Sequence, residues 1–431
     1  MLYVDYQNAL SEKVGVLNGV SRRAFLGALK KNDRLLKTVF RSKNKEGYAF
    51  LNLPDDQAAL LKIKKWVKKQ GKHQWENIVL LGIGGSALGT IAIKEALIGQ
   101  YQNPKIKPQF FAVDNIDPDH VAELLSVIDP VKSLFVVISK SGGTTEPLAL
   151  HSVFREKLIG KGVKDLKKHF VFITGTGGNT LRKFGKKEGI DCFDIPPKIG
   201  GRFSVLSSVG LLPATLLGID TNALLRGAKK MREMVKKATP EKNPALILAC
   251  LQYLLDKRKR KVMTVMMPYS NRLFRIGDWY RQLLAESIGK KSTVGPTPIT
   301  ALGTTDQHSQ LQLYNEGPNN KWFIFLRLLK YKNEIKLGNH LPDNLSFLNG
   351  KKLNQIIDAA LQGTVGSLTK NKRPNVTIDI PKIDAESIGM LLMLFEIQVA
   401  LLGLMYKVNA FNQPGVEESK KITKSLLSKK T

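Results

Sequence analysis

From Asn77 onward the chain repeats one pattern: a short apolar run rich in β-branched and aromatic residues, a polar or glycine-rich turn, then a helix-length apolar segment. Such an alternation can bury its strands only in a mainly parallel sheet covered by helices, because each crossover lays a helix against a sheet face. The expected strands cover residues 77–81, 109–113, 135–138, 170–174 and 192–195, with Asp117 and Pro118 opening the helix that runs to Val127. After an apolar helix ending at Leu217 the pattern pauses near Asp220. Helices at 223–237 and 244–256 follow, then a second alternation: a strand at 262–267, a helix at 275–289, strands near 322–326 and 376–380, and a long helix at 388–405. In sheets of this kind ligands bind beyond the carboxyl ends of the strands. Two of those ends carry glycine and hydroxyl loops.

A chain of 431 residues exceeds one ordinary core, which sets the expectation of two α/β domains. The boundaries expected are 1–50 for an N-terminal helical arm, 51–219 and 220–408 for the two domains, and 409–431 for a helical tail. Within the arm a helix is expected at 22–40, and another at 52–69 with Pro54 at its start. The only cysteines, Cys192 and Cys250, lie far apart in apolar surroundings, so no disulfide framework or thiol metal site is expected. The first residues lack a basic start followed by an apolar core, so a cytoplasmic home is expected rather than secretion. Residues 389–406 approach the length of a membrane span, but Glu396 and Gln398 sit near the middle, and the segment reads as a buried helix. The net charge of +31, from 67 Lys and Arg against 36 Asp and Glu, is spread over scattered runs seldom interleaved with aromatics. Weak, salt-sensitive adhesion to polyanions is the expectation, not a dedicated nucleic-acid surface.

The segment 134–146, LFVVISKSGGTTE, breaks from a buried strand into Ser139, Lys140, Ser141, Thr144 and Thr145 around Gly142 and Gly143. Glycines let backbone N–H groups turn toward an anion, and a helix starting near Thr144 aims its positive end at the same place. The bland alternative is a turn whose hydroxyls only cap that helix. At 82–89, GIGGSALG contains a G-x-G-x-x-A pattern that also fits a dinucleotide loop, with Asp114 at the end of the next strand. A second hydroxyl loop favours a compact phosphomonoester instead. In GGRFS, Arg202 offers a guanidinium that keeps its proton beside a developing oxyanion. Glu286, late in the helix QLLAESIGK, gains nothing from the helix dipole. In a partly apolar setting its carboxyl is pushed upward, which suits a general base. His308 stands in the polar cluster GTTDQHSQLQ. His73, His120, His151, His169 and His340 have no metal-ligand spacing and read as surface or core fillers. Each of these residues, alone, also has an ordinary structural reading, and Lys420 would not stand out among so many lysines.

Taken in order, GIGGSALG, VISKSGGTTEP, GGRFSVLSSVGLLPA, QLLAESIGK, TDQHSQLQL with YNEGP, and FNQPGVEESK resemble the glucose-6-phosphate isomerase family in its shorter bacterial form. The resemblance covers nearly the whole chain. It implies two sugar-isomerase (SIS) type domains with flanking arms, no metal or redox cofactor, and a homodimer in the cytoplasm acting in glycolysis and gluconeogenesis. It further implies that hydroxyls matching Ser139, Ser141 and Thr144 hold the substrate phosphate, with Lys140 and the loop at Gly85 and Ser86. The histidine matching His308 is supplied by the partner subunit. Oriented by Glu146 and working with Lys420, it opens the sugar ring. Glu286 then moves a proton between C2 and C1 through a cis-enediol stabilised by Arg202, while Gln282 and Gln413 contact the sugar. Three positions depart from the family pattern: Gly143 replaces a hydroxyl, Asn412 stands where many members carry Asp, and Pro197 stands where a polar residue usually begins the arginine motif. A phosphosugar-binding regulator on the same fold would need the hydroxyl loops but not Glu286, His308 and Lys420 together.

Overall fold

The computed structural model describes residues 2–71, 75–102 and 105–428; His73, Lys429 and Lys430 lie outside them. The described residues form the strands β1 Tyr3–Asp5, β2 Asn77–Leu81, β3 Gln109–Val113, β4 Ser133–Ser139, β5 Phe170–Gly175, β6 Cys192–Ile195, β7 Met263–Pro268, β8 Thr297–Thr300, β9 Lys321–Lys330 and β10 Asn375–Lys382. They make two five-stranded sheets, ordered β3-β2-β4-β5-β6 and β1-β10-β9-β7-β8. Every pairing is parallel except that of β1 with β10.

Both sheets follow one winding rule. The first strand of each run, β2 or β7, lies between the second and third, so the chain reverses its direction of travel across the sheet at that point. In open α/β sheets the crevice at such a reversal is where ligands bind. In the first sheet it falls between β2 and β4, the strands that end at the GIGG and SKSGG loops.

Strand β4 shows how the core is divided. All seven residues are buried, but Leu134, Val136 and Ile138 face one hydrophobic cluster while Phe135 and Val137 face another. In β9, Trp322, Ile324 and Leu326 join the same large cluster as the first set, and Phe323 and Phe325 point to a third. The largest cluster therefore runs between the two sheets, and each outer face has a smaller core of its own. The helix Ala385–Tyr406 runs through the shared cluster and is long and apolar enough to cross a membrane, yet its apolar stretch is 94% buried inside the protein.

Local sequence accounts for most element boundaries. Asp117 accepts from the N–H groups of Asp119 and His120 at the start of Pro118–Val127, and Asp220 caps Thr221–Lys237 through the Ala223 N–H. The helix expected at 52–69 starts later, at Gln57–Gln70. Asp56 is its cap, and Pro54 belongs to a preceding 3₁₀ stretch, Tyr48–Asp55. The N-terminal segment is more than a helical arm. It contains the helix Arg22–Arg41, but β1 also pairs in antiparallel fashion along the edge of the second sheet. Strand β8 and the helix Leu353–Lys370 lie outside the sequence-based expectations. Among the other histidines, His151 is buried against Phe170, Phe172 and Phe184, while His120 and His340 are exposed.

Candidate active site

The loop after β4 folds its hydroxyls onto one another. Ser139 Oγ donates to Thr144 Oγ1 at 2.9 Å, and Ser141 Oγ lies 3.3 Å from the same oxygen. The Gly143 N–H donates to Ser141 Oγ and the Thr144 N–H to Ser139 Oγ, at 3.3 and 3.4 Å. Thr144 precedes the helix Thr145–Gly160, but no side chain caps that helix. The bland reading of these hydroxyls as caps therefore does not hold, and the N–H groups of the first helical turn remain available to an anion. Gly142 has φ +68, and a Cβ there would stand 2.0 Å from Asn179 Oδ1, so only glycine can make this turn.

Lys140, in the same loop, turns its side chain toward backbone carbonyls. Its ammonium donates to the carbonyls of Ile199 at 2.7 Å and Pro197 at 3.2 Å, and burial lowers its pKa. It ties the hydroxyl loop to the segment leading into Gly200 and Arg202. The other glycine loop meets that segment as well: a Cβ on Gly85 would fall 2.6 Å from the backbone carbon of Gly201. Ser86 ends the same 3₁₀ turn, Gly84–Ser86.

Arg202 is the centre of the arrangement. Its side chain is 3% exposed, and its Nη1 donates to Glu286 Oε2 at 2.7 Å and to Gln413 Oε1 at 3.0 Å. Nη2 donates to the carbonyls of Ala410 and Asn412 at 3.0 and 3.1 Å, and Nε to Ser287 Oγ at 3.2 Å. Burial draws the guanidinium pKa down and the Glu286 carboxylate opposes it, but an arginine keeps its charge through such a shift. Glu286 projects from the helix Phe274–Ile288, and its Oε1 accepts from Gln282 Nε2 at 3.0 Å one turn earlier. The partly apolar setting expected for Glu286 is not what surrounds it: each carboxylate oxygen has a polar donor, and the side chain is 33% exposed.

The structure thus brings Arg202, Glu286, Gln282 and Gln413 together, with the Gly85 loop against the Arg202 turn. Glu146, His308 and Lys420 are not brought to them by hydrogen bonds. His308 is exposed at the end of the turn Thr305–Gln307, which is pinned where Gln307 Nε2 donates to Tyr269 Oη and the Ala360 carbonyl, both at 3.0 Å. The side chains of His308 and Glu146 form no hydrogen bond or ion pair with any described residue. Lys420 pairs with Glu417 at 2.8 Å on the helix Glu417–Ser428, none of whose residues is buried. Sequence reasoning did not single out Lys290, whose ammonium donates to the Asn412 carbonyl beside Arg202. Its position in QLLAESIGK, four residues after Glu286, was the available signal.

Fold and site together define a class: an α/β protein of helix-covered parallel sheets, with a glycine and hydroxyl loop at a topological reversal and a buried guanidinium paired with a partly exposed carboxylate. Residues 57–431 match the phosphoglucose isomerase family, and the chain belongs to it. It is 41% identical to the glucose-6-phosphate isomerase of Carboxydothermus hydrogenoformans over 91% of this chain and 88% of that one. It is 38% identical to the probable glucose-6-phosphate isomerase of Methanococcus maripaludis over 99% and 94%. The fold superposes on the crystal structure of a hypothetical protein from Thermus thermophilus with a TM-score of 0.87, covering 99% of this chain and 100% of that chain at 32% identity.

Proposed function

We propose that the chain is a glucose-6-phosphate isomerase, interconverting glucose 6-phosphate and fructose 6-phosphate by ring opening and proton transfer through a cis-enediol. Family membership across most of the chain, together with relatives of that name along nearly its full length, supports this activity. The observation that carries the mechanism is the Arg202–Glu286 pair, held between Gln282 and Gln413 at the edge of the crevice.

Isomerising an aldose to a ketose oxidises C2 and reduces C1 within one molecule, so it needs a base, a stabiliser for the enediolate and no external reductant. Glu286 takes the proton from C2 and returns it to C1. Each of its oxygens spends one lone pair on Gln282 or Arg202, which leaves the other for that proton. Arg202 is fixed by two carbonyls and two side-chain oxygens besides Glu286, so its positive charge is already oriented when the enediolate forms. Ser139, Ser141 and Thr144, with the loop at Gly85 and Ser86, hold the phosphate. Lys140 belongs to the same phosphate-binding loop, and its ammonium ties that loop to the arginine segment.

Ring opening falls to Lys420 and to His308 of the partner subunit, oriented by Glu146. The exposure of His308, whose side chain has no hydrogen-bond or ion-pair partner among the described residues, favours a homodimer with shared sites. Strands β2–β6 and β7–β10 are assigned to SIS-type domains at 51–219 and 220–408, flanked by segment 1–50, which adds β1 to the second sheet, and segment 409–431. The free cysteines support a cytoplasmic location, and the net charge supports weak polyanion adhesion. The test is a coupled assay. Purified protein, with chelator present and no added cofactor, is expected to convert fructose 6-phosphate to glucose 6-phosphate, and absence of turnover would refute the assignment.

A further inference from the structure

The end-of-chain loop from Lys407 to Gln413 lies outside helix and strand, yet it delivers Gln413 to Arg202 and leads directly into the helix that bears Lys420. Something must hold it. Asn412 is exposed, but its carbonyl accepts from two cations at once: Arg202 Nη2 at 3.1 Å and the Lys290 ammonium. Lys290 follows Gly289, the residue that ends the Glu286 helix, and it is half-buried. We infer that Lys290 is a positioning residue, which together with Arg202 clamps the Asn412 carbonyl and thereby keeps Gln413 and the Lys420 helix in register with Glu286.

The chemistry of the site explains why a second cation is used. Arg202 has all its donors committed, and losing the Asn412 contact would free the loop while leaving a buried N–H group unpaired. An ammonium on the same carbonyl adds a charge-assisted bond without competing for Glu286. The charged groups that face Lys290 are Arg202, from the Gly201–Phe203 turn, and Glu286, from its own helix. Burial, and then Arg202, bring the ammonium down to about 8, with Glu286 opposing. Its charge is therefore complete below that value and is lost as pH rises through it, so the clamp weakens on the alkaline side.

This inference rests on the isomerase reading for its kinetic test but not for its structural one. In the coupled assay, Lys290→Met is expected to lower kcat/KM about 10-fold, the size of one charge-assisted hydrogen bond, with Lys290→Arg restoring most of it. The alkaline limb of the wild-type kcat/KM profile, near pH 8, should move upward in Lys290→Arg. Without substrate, hydrogen exchange at residues 409–416 should speed up in Lys290→Met and not in Lys290→Arg. If exchange and kcat/KM are unchanged in Lys290→Met, or the alkaline limb stays in place in Lys290→Arg, the positioning role is wrong. An inactive wild type whose loop nevertheless loosens in Lys290→Met would overturn the isomerase reading and leave the clamp standing.

Discussion

The residues of the proposed active site fall into two groups that the fold treats in opposite ways. Arg202, Glu286, Gln282 and Gln413 are joined side chain to side chain within one chain, around a guanidinium that is almost completely buried. Glu146, His308 and Lys420 stand at the surface or near it, and among the described residues the only hydrogen bond or ion pair made by their side chains is a local one from Lys420 to Glu417. The first group is arranged before any ligand arrives. In the second, no side chain is held by another of the group. Proton transfer between carbons demands fixed geometry, whereas ring opening and substrate entry require access, and the two halves of the site divide along that line.

The largest expected effect tests the closed half. Glu286→Gln keeps the shape of the side chain but removes the base, so kcat should fall by about 10²–10⁴-fold with little change in KM. Turnover close to wild type would end the assignment of this group. Combining the variant with His308→Ala probes the open half. If His308 of the partner subunit completes each site, mixing the two inactive variants in one preparation of dimers should restore about a quarter of wild-type activity, since one intact site forms in each mixed dimer. No recovery, with mixed dimers demonstrated by native mass spectrometry, would mean that each chain uses its own histidine.

Next in size is Arg202→Met. It leaves the Ala410 and Asn412 carbonyls and Gln413 without their common donor and the Glu286 carboxylate without its cation. Removing one member of a fully buried pair typically costs about 3–5 kcal/mol; because the Glu286 carboxylate keeps some contact with water, a loss of about 2–3 kcal/mol is expected in urea unfolding. A loss under about 1 kcal/mol would show the cluster to be less rigid than its hydrogen bonds imply. The hydroxyl loop should respond differently, because it is built to hold a ligand rather than the fold. Ser139→Ala combined with Thr144→Val is expected to raise KM about 10-fold or more with a smaller change in kcat, and an unaltered KM would count against the loop as the phosphate anchor.

The contrast also explains which features were legible in the sequence. Buried parallel strands announce themselves as apolar runs, so β2 through β7 could be placed within a few residues. Strand β8, Thr297–Thr300, contains a proline and is not fully buried, and β1 spans three residues that pair with a strand more than 370 positions away. Neither leaves a periodic signal. Within the site, residue types with distinctive chemistry could be named, and four of them meet. What could not be read was the backbone: the carbonyls of Ala410 and Asn412 that hold Arg202 carry no side-chain signature. Lys290 is hidden for another reason, as one lysine in a chain with 67 basic residues. The carbonyls that the Lys140 ammonium meets were equally hidden, because a lysine beside a glycine loop looks the same whatever acceptors lie near it.

Burial alone does not make a catalytic carboxyl, and a second glutamate gives the smallest and sharpest test of that point. Glu396, in the helix Ala385–Tyr406, is completely buried, and neither carboxyl oxygen has a hydrogen-bond partner. Desolvation raises its pKa well above the ordinary 4.5. The folded protein therefore keeps this proton as pH rises, while the unfolded chain releases it near the ordinary value. Any stability linked to the proton is present below that value and is lost as pH increases toward neutrality, by up to about 1.4 kcal/mol per unit until the folded group itself ionises. Glu396→Gln removes the titration at nearly constant volume. In urea unfolding its stability relative to wild type should rise steadily between pH 5 and pH 7, the pH interval over which the unfolded wild-type carboxyl is ionised. At pH 7 its kcat should stay within about twofold of wild type, since Glu396 hydrogen-bonds to none of the site residues named above. A flat stability difference across that range would mean that the buried carboxyl finds a partner, and a large fall in kcat would mean that the closed half of the site extends into the shared core.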